Sequence, residues 1–254
     1  METRLPNDVQ AYLDELVKRL VQHLGNRLVG VYLFGSASYG AFEPGLSDLD
    51  VQAVVQNSLS STEKQGIVSR MNQACMPCPA TKLEFVVYAQ DSVNPASRHP
   101  RFELNLNTGR HQSDRVGLDP AQEASHWFLL DIAMGRRRGR CLHGLPVEEA
   151  FGKIPYSWIL DAMADSLEWH RMNELNSANS VLNACRSWHY LASGVFSSKA
   201  DGGRWAMQQK GCPDVVETAL EARKTGEKLP TAEVQKLYQM VIQVNLEERK
   251  KISN

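Results

Sequence analysis

The sequence predicts an α/β domain followed by an all-α helical domain. Three short apolar segments rich in β-branched and aromatic residues lie in the first half, at 28–34, 49–55 and 82–88. Their length and composition favour buried strands over helices, and the helical segments between them indicate an α/β unit. From residue 120 onward, apolar residues recur mostly at helical spacing, which predicts a helical second half.

The first predicted element is an amphipathic helix that ends near Gly25. Asn7 or Asp8 is expected to cap it, and Gly25 suits the position just past a helix C-terminus. Ser60 and Glu63 have the spacing of a capping box for a second helix, running to about residue 73. The first helix is supported by six apolar residues at helical spacing: Leu13, Leu16, Val17, Leu20, Val21 and Leu24.

The remaining elements follow from turn and capping signals. The segment 90–117 is loop-like and is expected to hold one strand, near 102–106. Asp119 followed by a proline predicts a helix at about 120–135, and 140–146 is compatible with an edge strand or a turn. Further helices are predicted at 156–172, 178–193, 213–225 and 231–250.

Two prolines, Pro146 and Pro155, bracket the predicted boundary between the domains. We therefore expect a first domain over residues 1–154 and a second over residues 155–254. A chain of 254 residues is long enough for two such domains.

The composition argues against several classes of protein. There are 28 Lys and Arg residues against 29 Asp and Glu, a formal net charge of −1, which does not suit a protein that coats nucleic acid. No apolar run approaches the roughly 18 residues of a membrane span. The five cysteines are few for a chain of this length, and their number is odd. They do not suit a disulfide scaffold, so we expect a cytoplasmic protein.

The chemically informative stretch joins Gly35 and Ser36 to Asp48 and Asp50. Residues two apart on a strand point to the same face, so the two aspartates place their carboxylates side by side at the start of an apolar strand. A divalent cation would relieve their repulsion, and such carboxylates are a usual environment for Mg²⁺. Glycine lets the backbone approach closely, while backbone N–H groups and the Ser36 hydroxyl can donate to a phosphate.

A third acid, Glu84, lies inside the third predicted strand, where Leu83 and Phe85 face away from it. If the strands are neighbours, Glu84 shares a face with the two aspartates and could bind metal or take a proton from an attacking hydroxyl. A lone Asp-x-Asp also fits a solvated turn. A solvated turn does not account for both the Gly-Ser pair directly after the first predicted strand and the third acid, Glu84.

Together these features resemble nucleotidyltransferases of the polymerase-β type, whose signature is a Gly-Ser, a short spacer and an Asp-x-Asp. The stretches 31–55, 83–92 and 179–207 are further similar to the bacterial aminoglycoside adenylyltransferases that modify streptomycin and spectinomycin. This similarity covers most of the chain, though it is close only in blocks. It implies a nucleotidyltransferase domain with a mixed sheet and flanking helices, followed by a helical bundle that closes on ATP and substrate.

The resemblance also implies a reaction and a set of site residues. The reaction is transfer of AMP from ATP to a hydroxyl, with release of pyrophosphate. Two Mg²⁺ ions are expected, and in that family the aspartates bind Mg²⁺, the strand glutamate is the catalytic base, and an arginine and a lysine of the helical domain contact the ATP phosphates. The matching positions, with the glycine and serines of the phosphate loop, are Asp48, Asp50, Glu84, Arg186, Lys199, Gly35, Ser36 and Ser47.

The sequence around the two basic residues is compatible with these roles. Arg186 interrupts the apolar pattern of a helix beside Trp188, and Lys199 lies in a Ser/Gly-rich stretch. That stretch is predicted to be a loop whose mobile cation could close over a triphosphate. Without the resemblance, a solvated surface charge would be the favoured explanation for each residue.

The acceptor region departs from the members that modify streptomycin. Those carry acidic residues just before the helix that bears the arginine, and the matching positions fall on or near Met172 and Asn176. Glu168 and Glu174 remain nearby as acids, and Trp169 could offer an aromatic platform. Trp169, Glu174 and Asn176 are therefore the candidate acceptor-binding residues, for a hydroxylated, cationic aminoglycoside or aminocyclitol.

Two other functions remain open from the sequence. The basic cluster at 136–140 could dock RNA, so that the enzyme modifies RNA or a protein hydroxyl, although a solvated helix end also explains the cluster. The chain could also be a non-catalytic nucleotide-binding module, against which the three carboxylates argue. We expect a monomer whose partners are ATP and a small-molecule acceptor.

Overall fold

The computed structural model describes residues 5–253 of the chain. The chain separates into two compact units, the first ending at Ile154 and the second beginning at Pro155. Across the described range, no helix is both long and apolar enough to cross a membrane.

The first unit is built on a mixed sheet that has six strands within the described residues. The strands are β1 (Leu28–Phe34), β2 (Leu49–Val55), β3 (Leu83–Ala89), β4 (Phe102–Gly109), β5 (Gln112–Gly117) and β6 (Arg140–Gly144). They lie side by side in the order β5-β4-β3-β2-β1-β6. Only β2 and β3 pair in parallel, and the other neighbouring strands are antiparallel. The predicted fold class is confirmed.

The helices of the first unit flank this sheet. They are α1 (Asn7–Leu24), α2 (Gly35–Ser38), α3 (Ser61–Met71), α4 (Gln90–Val93), α5 (Ser125–Arg138) and α6 (Val147–Ala150). The Ser60–Glu63 capping box that precedes α3 is present, as predicted. The predicted cap of α1 is wrong, because Asn7 and Asp8 lie inside the helix, whose N-cap is Pro6 without a side-chain cap.

The main hydrophobic core of the first unit lies between one face of the sheet and the helices α1 and α3. Leu16 of α1, Ile67 of α3 and the inward residues of the strands, such as Val51 and Phe85, belong to one buried cluster. Because successive strand residues alternate between faces, Asp50 and Glu84 point to the opposite face. Apolar burial on one side of β2 and β3 therefore sets the direction of both acids.

The opposite face of the sheet is covered in part by aromatic residues. Phe151, just after α6, packs edge-on against Tyr32 and Tyr88, with ring centroids 5.2 and 6.3 Å apart. Phe128 of α5 contacts Tyr88 and Phe102. The ends of β2 and β3 that carry the acids are left half-exposed.

Two predictions for the middle of the first unit need correction. The segment 90–117 holds a hairpin of two strands, because β4 continues to Gly109 and pairs with β5. The helix predicted at 120–135 is two elements: Asp119 caps only the short 3-10 turn Pro120–Gln122, and α5 begins at Ser125. The segment at 140–146 forms an edge strand, β6, beside β1.

The second unit is helical. Its elements are α7 (Tyr156–Asn173), α8 (Ala178–Ser193), α9 (Lys199–Met207), α10 (Val215–Thr225) and α11 (Thr231–Ser253). The predicted loop around Lys199 is wrong, because Lys199 is the first residue of α9 and Ser198 caps that helix. The glycines that suggested a loop instead let α9 pack closely on α8, since a Cβ on Gly202 would lie 3.1 Å from backbone atoms of Arg186.

Candidate active site

Asp50 and Glu84 are register partners on the parallel strands β2 and β3. They therefore point to the same face of the sheet, where both side chains are half-exposed. Asp48 lies two residues before Asp50, just ahead of β2, and is also half-exposed. The sheet thus brings three carboxylates to one open end of two adjacent strands.

A lysine that the sequence analysis did not single out, Lys82, lies among these carboxylates. Its ammonium donates to Glu84 and lies 3.6 Å from an oxygen of Asp48. Burial lowers the pKa of Lys82, but Glu84, Asp48 and Asp50 together outweigh this effect, so its pKa is raised above the ordinary value. The signal that could have identified Lys82 is its position two residues before Glu84, which puts both side chains on one face.

A glycine is required at position 35 because the Asp50 side chain occupies the space that a Cβ would need. The φ of Gly35 is +59°, and a Cβ added there would lie 1.7 Å from an oxygen of the Asp50 side chain. An L-residue would be strained in this conformation and would also displace the carboxylate. The glycine that follows β1 therefore places its backbone directly against the Asp50 carboxylate.

Thr81 contacts Asp48, and Ser47 fixes the turn that precedes it. Ser47 is 7% exposed, and its hydroxyl accepts from the Glu43 amide at 2.9 Å. The Thr81 hydroxyl lies 2.7 Å from the Ser47 carbonyl oxygen and also contacts the Asp48 carboxylate. The structure thus gives Ser47 a role in the turn that leads into β2.

The donor set suits a hard divalent cation. Three carboxylates are the ligand type that Mg²⁺ prefers, and the Lys82 ammonium shows that positive charge is stabilised where Asp48 and Glu84 meet. Among residues 5–253, no group of three or more His, Cys, Asp or Glu side chains is already arranged as a metal centre. The carboxylates are suitable ligands for Mg²⁺. Metal binding there would require the Lys82 ammonium to move away from Glu84.

The second unit places the two predicted phosphate-binding residues close to each other. Arg186 lies on α8 and donates from Nε to the Ser197 carbonyl oxygen at 3.0 Å and from a terminal nitrogen to Asn183 Oδ1 at 3.1 Å. Arg186 and Lys199 both act electrostatically on buried His170. The two cations therefore lie on neighbouring helices of one unit, α8 and α9.

The candidate acceptor residues differ in their surroundings. Trp169 is 38% exposed, as an aromatic platform requires. Glu174 is bonded within the unit to His170 at 2.6 Å and to Asn179 at 2.7 Å. Asn176 donates its side-chain amide to the Thr231 hydroxyl at 2.6 Å, a contact that ties the α7–α8 connection to the start of α11.

The basic cluster at 136–140 contributes to the fold of the first unit. Arg136 donates to the Glu148 carbonyl oxygen at 2.8 Å, and the Arg138 guanidinium lies 3.9 Å from the centre of the Tyr39 ring. Arg140 donates to the side chain of Gln10. These contacts support the interpretation of the cluster as a helix end rather than as a docking site.

Comparison with known proteins gives matches in sequence and in structure. The model of the aminoglycoside adenylyltransferase C-terminal domain matches residues 149–243. A spectinomycin 9-adenylyltransferase of Enterococcus faecalis is 25% identical over 180 residues, 68% of this chain and 70% of that protein. One from Staphylococcus aureus strain N315 is 26% identical over 212 residues, 80% of this chain and 78% of that protein.

A solved structure shares the fold. The crystal structure of an enterococcal spectinomycin adenyltransferase with ATP and spectinomycin superposes with a TM-score of 0.68. The match has 21% sequence identity and covers 94% of this chain and 99% of that one. The mixed sheet and the helical second unit are therefore the fold of this related structure. Residues 149–243 thus match the C-terminal domain of aminoglycoside adenylyltransferases, and a larger part of the chain is similar to spectinomycin 9-adenylyltransferases.

Proposed function

We propose that the protein is a Mg²⁺-dependent enzyme that transfers AMP from ATP to a hydroxyl of an aminocyclitol such as spectinomycin, releasing pyrophosphate. The observation that carries this proposal is the register pairing of Asp50 with Glu84 beside Asp48 and Gly35. The names of the relatives support the reaction and the acceptor. ATP and spectinomycin in the related crystal structure support the donor and the acceptor.

In the proposed reaction, Glu84 is the general base. Its carboxylate takes the proton of the acceptor hydroxyl, whose oxygen forms a bond to the α-phosphorus of ATP. The bond from that phosphorus to the bridging oxygen breaks, and pyrophosphate leaves with the electron pair. Before metal is bound, the Lys82 ammonium donates to Glu84 and thereby restricts the direction of its carboxylate.

Asp48, Asp50 and Glu84 are the residues that would hold Mg²⁺, with two ions expected. When bound, the metal supplies positive charge that stabilises the attacking and leaving oxygens. The contact of Thr81 with Asp48 and the close approach of Gly35 to Asp50 restrict both carboxylates. The protein therefore orients its own metal ligands before any ion is bound.

The nucleotide is proposed to bind through two sets of residues. Gly35, Ser36 and Ser47 form the phosphate loop of the first unit, where backbone N–H groups and hydroxyls can donate to phosphate oxygens. Arg186 and Lys199 of the second unit supply the positive charge for the triphosphate. The anchoring of Arg186 by Asn183 and Ser197 supports this role, because a fixed guanidinium loses less entropy on binding.

The acceptor is proposed to be spectinomycin rather than streptomycin, which carries two guanidinium groups. Met172, at a position matched to an acid in streptomycin-modifying members, is 68% exposed and apolar. The nearby acids are already engaged, since Glu168 forms a bidentate pair with Arg171 at 2.7 Å and Glu174 binds His170. This leaves little carboxylate charge for a strongly cationic drug.

A pyrophosphate-release assay tests the proposal directly. The purified protein is supplied with ATP and Mg²⁺, and spectinomycin, streptomycin and other aminoglycosides are compared. We expect release with spectinomycin that stops when Mg²⁺ is removed with a chelator, and an adenylylated product heavier by one AMP group in mass spectrometry. Absence of product with every acceptor, or full activity without divalent metal, would contradict the proposal.

A further inference from the structure

A histidine that the proposed reaction does not use lies buried beside the phosphate-binding arginine. His170 of α7 is 2% exposed. One ring nitrogen, Nδ1, is 2.6 Å from Glu174 Oε1, and the other, Nε2, is 3.0 Å from Asn183 Nδ2. A buried polar ring with partners on both nitrogens is held in one orientation.

Burial, together with two nearby cations, lowers the pKa of His170 and favours its neutral ring. Burial lowers its pKa, the Glu174 carboxylate opposes this, and Lys199 and Arg186 lower the pKa further. The net result is a pKa below the ordinary value of 6.5. These groups come from the end of α7 and from the two helices α8 and α9 that carry the cations.

The bonds of Asn183 determine which nitrogen of His170 carries the proton. Arg186 can only donate, and its guanidinium donates to Asn183 Oδ1 at 3.1 Å. The Asn183 amide therefore turns its NH₂ group towards His170, so that Nε2 must accept and the proton must lie on Nδ1. That proton is donated to Glu174, which also accepts from Asn179 at 2.7 Å.

We propose that His170, as the neutral Nδ1–H tautomer, is a positioning residue that orients Asn183 and thereby fixes the Arg186 guanidinium for the triphosphate of ATP. This inference rests on the proposed function, because it needs Arg186 to bind phosphate. It assigns a second role to Glu174, a candidate acceptor ligand: Glu174 holds the tautomer that the chain of contacts requires. Loss of the His170 acceptor would free the Asn183 amide to turn and would leave Arg186 less well oriented.

The first measurement is nitrogen NMR of protein labelled with ¹⁵N-histidine, at neutral pH and without nucleotide. The inference predicts a protonated Nδ1 and an unprotonated Nε2 for the resonance that disappears in His170→Gln. An Nε2–H tautomer or a doubly protonated ring would overturn it. The tautomer is read from the unmodified protein, and His170→Gln, which keeps a polar side chain at this position, serves only to assign the resonance.

The second measurement is a set of variants scored by the KM for ATP, by kcat and by calorimetric ATP binding. His170→Leu removes the acceptor, and we expect the KM for ATP to rise about two- to tenfold, as for the loss of one hydrogen bond, with little change in kcat. His170→Gln can present an amide oxygen near the former Nε2 position, and it should restore most of the affinity. Combined with Arg186→Ala, His170→Leu should add no further loss.

The outcomes separate this inference from the proposed function. If Arg186→Ala weakens ATP binding but His170→Leu does not, or if the two losses add in full, the positioning role is wrong and the proposed function stands. If Arg186→Ala leaves ATP binding unchanged, the phosphate role of Arg186 fails and this inference fails with it. Pyrophosphate release by the parental protein tests the adenylyl transfer independently of both.

Discussion

Gly35 is the residue at which the backbone of the site comes closest to a carboxylate. The sequence suggested this glycine for phosphate binding, and the structure gives it a steric reason, because the Asp50 side chain occupies the space of a Cβ. Lys82, in contrast, could not be assigned to the site from the sequence. A lysine beside a strand glutamate is common on exposed surfaces, and only the pairing of β2 with β3 brings Asp48, Asp50 and Glu84 around it.

Gly35→Ala should reduce turnover by roughly 100-fold, since a displacement of about 1 Å in a reacting group has an effect of that size. The matched control is Gly25→Ala, at a similar φ of +52° and with nothing within 4 Å of the added Cβ. Both variants should lose about 1–3 kcal/mol in the free energy of unfolding from backbone strain, because both glycines have a positive φ. Chemical denaturation and steady-state kinetics measure the two effects, and equal turnover in the two variants would contradict the steric account.

The elements that the sequence predicted well are those with strong local signals. The capping box before α3 and the apolar strands β1, β2 and β3 were correct. The strand β5 was missed because its residues are polar and almost all exposed at the sheet edge, so no apolar alternation marks it. The helix α9 was missed because Gly202 and Gly203 indicate a loop locally, whereas close packing against α8 requires them.

The capping box also predicts that the stability contributed by Glu63, at the start of α3, depends on pH. The Ser60 hydroxyl, the Ser60 amide and Arg27 lower the pKa of Glu63 to about 2, from an ordinary value of 4.5. The Glu63 charge therefore stabilises the fold above about pH 4.5, and this contribution is lost as the pH falls towards 2. Urea unfolding of the parental protein and of Glu63→Gln should show a difference that is constant near neutral pH and shrinks between pH 4.5 and 3.5.

Glu217→Gln provides the control for that experiment. Glu217 also lies in the first turn of a helix, α10, and is exposed. Its substitution should not reproduce the pH-dependent difference. A difference between the parental protein and Glu63→Gln that stays constant down to pH 3.5 would show that the charge of Glu63 does not stabilise the cap.

At the scale of the whole molecule, the two compact units carry different parts of the proposed function. The first unit holds the acids, and the second holds the two cations proposed to bind phosphate and the candidate acceptor residues. Both sets remain predictions from the sequence, made at single positions by the motif and the family resemblance. The sequence could not predict the bonds of Glu174 and Asn176, because these depend on how α7, α8 and α11 pack.

The acceptor preference gives a prediction at this scale. Met172→Asp together with Asn176→Asp adds two carboxylates at or near the positions that the resemblance matches to acids in streptomycin-modifying members. Because a hydrogen bond to a charged group contributes roughly 1.5–3 kcal/mol, we expect kcat/KM for streptomycin to rise at least about tenfold. The Asn176 amide donates to the Thr231 hydroxyl. A carboxylate in its place can accept from that hydroxyl instead, so a contact between these two positions is kept with the direction reversed.

Pyrophosphate release with streptomycin and with spectinomycin measures this effect. The control is Met172→Leu with Asn176 unchanged, which alters the exposed side chain without adding charge. A double variant with no gain on streptomycin would show that the missing acids do not determine the acceptor.

The central claim is that Glu84, placed beside Asp48 and Asp50 by the pairing of β2 with β3, removes the proton of the acceptor hydroxyl. Glu84→Gln preserves the shape of the side chain and removes the base, and exposed Glu221→Gln is its control. The direct measurement is turnover together with calorimetric binding of ATP in the presence of Mg²⁺. We expect Glu84→Gln to lower kcat about 10²- to 10⁴-fold while ATP still binds; turnover at the parental rate would contradict the account.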